Sequence, residues 1–147
     1  MPRNAIAYDD DFFAWTKEQA DLLRAGEFTQ LDIENVAEEL ESMGRSARSE
    51  LRNRLAVLVM HLLKWQYQPA FRSPSWSGTV REQRRQVKYL LEESPSLKSP
   101  VLQDLARIYS LACPKAVAET GLAETTFPAD CPFTPDQILA EDFLPEG

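Results

Sequence analysis

The chain has 147 residues, 44% of them hydrophobic, with 5 glycines, 10 prolines and a formal charge of −7. That length supports one domain with a real core, a pI near 4.8 is wrong for a dedicated nucleic-acid binder, and the longest clean apolar run, Leu55–Met60, falls far short of the roughly 20 residues that span a bilayer. Cys113 and Cys131 make no disulfide framework and suit reduced thiols, and the opening MPRNAIAYDDD has no apolar signal core, so a cytoplasmic protein without membrane segments is expected.

The first helix should start at the aspartate run Asp9-Asp10-Asp11, where a side-chain acceptor and negative charge suit free N–H groups. Phe12, Trp15, Gln19 and Leu22 form its stripe, with Phe13, Ala20 and Leu23 beside it, and Gly26 ends it. Phe28 and Leu31 read as apolar anchors between helices.

Asp32 caps a second helix, with Glu34 in its first turn. Apolar residues then recur at 33, 36, 40, 43, 47, 51, 55, 58, 62 and 65, with gaps of three and four only. The register passes through Gly44, which favours one helix to Pro69. At roughly 54 Å such a helix would overhang a compact globule of this size, about 38 Å across. It should therefore bend near Gly44 or extend into an elongated or dimeric bundle. Its stretch Leu55–Trp65, LAVLVMHLLKW, is apolar all round and expects packing on every side.

Ser73 or Ser75 should cap a third helix with Pro74 in its first turn and a core stripe of Trp76, Val80, Gln83, Val87 and Leu90. A fourth helical stretch runs from Val101 through Leu111, with a kink or restart expected at Pro114 and a stop at Gly121. In the proline-rich tail, Thr134-Pro135-Asp136-Gln137 is a capping box that should open a short last helix containing Ile138 and Leu139. Phe127, Phe133, Phe143 and Leu144 should pin that tail to the bundle. The expectation is one all-α domain over 1–147: a bundle of about four main helices, with residues 126–147 packed on it as a tail.

The segments YDDDFFAWTKEQADLLRAG (8–26), LDIENVAEELESMGRS (31–46), HLLKWQYQP (61–69), RSPSWSGTVREQR (72–84), SPSL (94–97) and FPADCPFTPDQILAEDFLPE (127–146) together resemble a bacterial domain-of-unknown-function family, number twenty-nine. The match is looser between Ser99 and Thr126. The resemblance implies an all-helical bacterial protein with no established activity or assigned site.

Charge is patterned in three blocks: −8 over residues 1–44, +8 over 45–88 and −7 over 89–147. Mutual neutralisation is the plain reading. The sharper one is a basic face from Arg45, Arg48, Arg52, Arg81, Arg84, Arg85 and Lys88 that meets nucleic acid or another anion. A second candidate is the joint between the second and third helices. There His61, Lys64, Trp65, Arg72, Ser73, Ser75 and Trp76 could build an anion pocket at a helix N-terminus. Its structural alternative has Ser73 as a plain cap and Arg72 paired with Glu38 or Glu41.

Glu34, Glu38 and Glu41 share a helix face, and with His61 they give a weaker, metal-assisted hydrolase reading. One histidine and two cysteines match no standard metal site, however, and no metal or cofactor is expected. No nucleophile elbow or phosphate loop is present. The leading expectation is a helical protein–protein interaction module without catalytic activity, acting on a protein partner or as a homodimer.

Overall fold

The computed structural model describes residues 5–146; the first four residues of the opening stretch lie outside them. Within that span the chain is all-α, with six helices and no strand among the described residues: α1 (Phe12–Ala25), α2 (Ile33–Tyr67), α3 (Pro74–Glu93), α4 (Lys98–Leu102), α5 (Leu105–Thr120) and α6 (Pro135–Leu139). The chain groups into two compact units, residues 1–46 and 47–147, and α2 contributes to both. As its stripe demands, α2 stays helical through Gly44.

The first unit is a helical hairpin. Asp11 caps α1, its carboxylate accepting the Ala14 N–H, and Gly26 closes it with φ 73°, a backbone conformation that only glycine adopts without strain. A polar network ties the hairpin shut. The Gln19 side chain accepts the Asp32 N–H at 2.8 Å, and the Asp32 carboxylate takes the Trp15 indole N–H at 3.0 Å and the Asn35 amide at 2.8 Å. Those bonds, the Asn35 one above all, hold the Asp32 carboxyl below its ordinary range. Tyr8 donates to the Glu39 carboxylate and packs edge-on against Trp15. Trp15 and Leu22 are buried, with Glu18 and Gln19 beside them. Phe28, expected as an anchor, is instead exposed, because the short 3-10 turn Phe28–Gln30 is held by backbone bonds and leaves the ring outside.

The second unit holds the large core. From Leu51 to Leu63, eight side chains of α2 are buried, on all sides of the helix. Around them lie Val80 and Val87 of α3, Val101 and Leu102 of α4, and Ile108, Tyr109, Ala112 and Ala116 of α5. The break in the fourth stretch falls at Gln103-Asp104, and α5 then runs through Pro114. Proline is tolerated there because Pro114 and Ser110, whose carbonyl loses its helical partner, are both exposed to water.

The tail is pinned as its aromatics suggest. Phe127, Phe133 and Ile138 are buried, Tyr67 meets Phe127 edge-on at 5.3 Å, and the Tyr109 hydroxyl donates to the Pro128 carbonyl at 2.6 Å. Thr134 and Gln137 form the reciprocal capping box of α6.

Candidate functional site

At the α2–α3 joint, Ser73 is the cap: its hydroxyl accepts the Trp76 N–H at 3.2 Å, with Pro74 following as the first helical residue. Ser75 is exposed to solvent. Arg72 pairs with neither glutamate. Its Nε donates to the Trp65 carbonyl at 2.7 Å, and its guanidinium stacks 5.2 Å from the Trp65 ring. Local geometry explains this, since the turn at Pro69–Phe71 brings Arg72 back onto the last turns of α2. The Lys64 ammonium lies 4.7 Å from the Trp76 ring and 3.4 Å from a Glu119 oxygen. Burial, then the Lys64 charge, pushes the half-buried His61 imidazole below its ordinary range, which favours its neutral form. The joint therefore gathers these residues but has partners for its cations within the fold. Arg72 Nη2 is buried without a hydrogen-bond partner, as are Gln66 Oε1 and Arg52 Nε on α2.

The residues of the basic block are largely engaged as well. Arg45 reaches Glu38 at 2.7 Å and Glu41 at 3.9 Å. Arg85 grips Glu82 through two nitrogens, at 3.0 and 2.9 Å, holding that carboxyl down at about 2. Lys88 lies 3.8 Å from Glu141. Arg84 is only 6% exposed. Its guanidinium donates to the carbonyls of Gln137 (3.2 Å), Ile138 (2.9 Å) and Glu141 (3.3 Å). It caps the C-terminal end of α6, where unpaired carbonyls and the negative end of the helix favour a cation. Arg48 and Arg81 are exposed, and Arg52 is half-buried. A cavity of about 800 Å³ lies over Leu91, Pro95 and Leu139, and its wall mixes Arg81, Arg85, Lys88 and Lys98 with Glu92, Glu141 and Asp142.

Glu34, Glu38 and Glu41 are exposed, and no group of three metal-ligating side chains forms among the described residues. Cys113 and Cys131 are half-buried thiols, and burial raises that of Cys131, which disfavours its thiolate.

The most conspicuous surface lies in the hairpin, where periodicity suggests core. Ile33, Leu40 and Met43 continue the stripe that is fully buried from Leu51 to Leu62, yet they are 63%, 64% and 68% exposed. On α1, Phe12, Phe13 and Leu23 are exposed too. A helical wheel puts these three roughly 60–160° clockwise of the buried Trp15–Leu22 face. The bonds from Tyr8 to Glu39 and from Trp15 to Asp32 run the two helices antiparallel and mark the side of α2 that faces α1. Ile33 and Leu40 lie about 100° clockwise of that side, viewed along α2. In an antiparallel pair two clockwise offsets point the same way, so both helices turn apolar flanks to one side of the hairpin. The signal in the sequence was the length of the stripe, which outruns the core it feeds.

A family model described as "Domain of unknown function DUF29" matches residues 7–144. The chain belongs to that family. No curated protein and no solved structure matches it. Among the described residues no helix is long and apolar enough to cross a membrane.

Proposed function

We propose that the protein is a bacterial, cytoplasmic protein-interaction module whose working surface is the apolar side of the N-terminal hairpin. One observation carries this reading: a single helix stripe is wholly buried at Leu51, Leu55 and Leu58 and bare at Ile33, Leu40 and Met43. Ile33, Leu40, Phe12 and Leu23 share that side, with Met43 and Phe13 at its margins, and together they expose several hundred Å², a patch at the upper end of what a monomer ordinarily leaves bare. Surface of that kind is stable in water when another protein covers it.

Anion binding is a second reading, with the unpaired Nη2 of Arg72 as its support. It ranks below the first because Arg45, Lys64, Arg84, Arg85 and Lys88 already have partners, such as Glu119 for Lys64 and Glu82 for Arg85. Nucleic-acid binding through the basic block is weakened in the same way.

Site-specific photocrosslinking in the native cell tests the first reading. A benzophenone side chain at Leu40 is expected to yield covalent protein adducts, whereas the same probe at Glu92, exposed on α3, yields none. An absence of adducts at Leu40, or the same adducts at both positions, would count against the proposal.

A further inference from the structure

We infer that the occupant of the hairpin's apolar side is a second copy of this chain, packed antiparallel across a two-fold axis on α2; this rests on the interaction reading above. Two observations favour a copy over an unrelated partner. The first is area: the several hundred Å² on offer approaches the roughly 800 Å² that each side contributes to a standard stable interface. A two-fold contact uses the same patch on both copies and so needs no second surface.

The second is charge order. Along the edge of α2 beside the stripe run Glu34, Glu38 and Glu41, then Arg45 and Arg48, at helical spacings of four, three, four and three. The edge is acidic first and basic second. An antiparallel copy centred between Glu41 and Ser42 sets Leu40 against the partner's Met43 and places Glu38 opposite the partner's Arg45. Two symmetric Glu38–Arg45 contacts then join unlike charges across the copies, whereas a parallel copy would carry the two charged edges to opposite sides of the contact. The Glu38–Arg45 pair, now closed within one chain at 2.7 Å, can be exchanged between copies at little cost, because exposed ion pairs are weak. The dimer is held by apolar contact, and the edge charges set its direction.

The test is the mass of the purified full-length chain by light scattering and sedimentation, from micromolar to several hundred micromolar. The wild type is expected to reach the mass of two chains. Leu40→Glu is expected to weaken the dimer at least about tenfold, because it places a charge in an apolar contact, with helicity unchanged. Glu38→Arg alone should weaken it, and adding Arg45→Glu should restore it. A wild type that stays at the mass of one chain, or a dimer indifferent to Leu40→Glu, would overturn the inference. A double variant no tighter than Glu38→Arg would overturn the antiparallel pairing. If the isolated chain is monomeric while the Leu40 photoprobe captures a different protein in cells, the second copy falls and the interaction module stands.

Discussion

Arg84→Met is expected to destabilise the second unit by about 2–4 kcal/mol, because a buried guanidinium is lost together with the three carbonyl bonds it supplies. The side chain lies on the Val80–Val87 stripe of α3, and methionine would fill most of its volume. Packing is thus roughly conserved, and the cost falls on the carbonyls of Gln137, Ile138 and Glu141. These belong to the last turn of α6 and the residues after it, so the tail should loosen before the helices melt. Limited proteolysis would show early cuts between Phe127 and Glu146, and urea unfolding a lowered midpoint at a similar slope. Arg84→Lys should recover only part of the loss, since a single ammonium cannot span three carbonyls as the planar fork does. A tail as protease-resistant as the wild type in Arg84→Met would show that these bonds do not hold it.

Leu58→Ala is expected to cost about 3–4 kcal/mol, the removal of a fully enclosed leucine plus the cavity left behind. The same substitution two and a half heptads earlier on the same stripe, Leu40→Ala, should change the stability of the monomer by less than about 0.5 kcal/mol. Alanine is also the better helix former, which offsets part of the small apolar loss. The pair is best measured at concentrations low enough to keep the chain single. Equal losses at the two positions would contradict the division of α2 into a buried and a bare portion.

Much of this fold can be read from spacing and caps. Asp11, Gly26, Ser73 and the Thr134–Gln137 box act at the helix ends where their chemistry places them. The unbroken stripe carries α2 through Gly44. Periodicity identifies which side of a helix is apolar, but it does not say what covers that side. Ile33 and Leu58 therefore look alike in the sequence and differ in the fold. Arg84 escapes for the converse reason. It sits four residues after Val80 and three before Val87, squarely on the buried stripe, but a charged residue reads as surface until a ring of carbonyls arrives from 53 to 57 residues away. Arg72 is a smaller case: a local turn offers it the Trp65 carbonyl and ring, and distant glutamates lose to that proximity. At α5 a proline normally read as a break is accommodated, because water can serve the orphaned carbonyl on an exposed side.

α2 carries its own pair of reporters, Met43, 68% exposed on the hairpin's apolar side, and Met60, 6% exposed in the core. Oxidative footprinting of the wild-type chain, read by mass spectrometry, compares the two directly. In dilute solution Met43 should oxidise much faster than Met60. As concentration rises, Met43 should become protected while Met60 does not change. Equal protection of the two methionines in dilute solution, or a Met43 rate that stays high at every concentration and in the native cell extract, would contradict the claim that this surface is bare in the single chain and covered when the protein works.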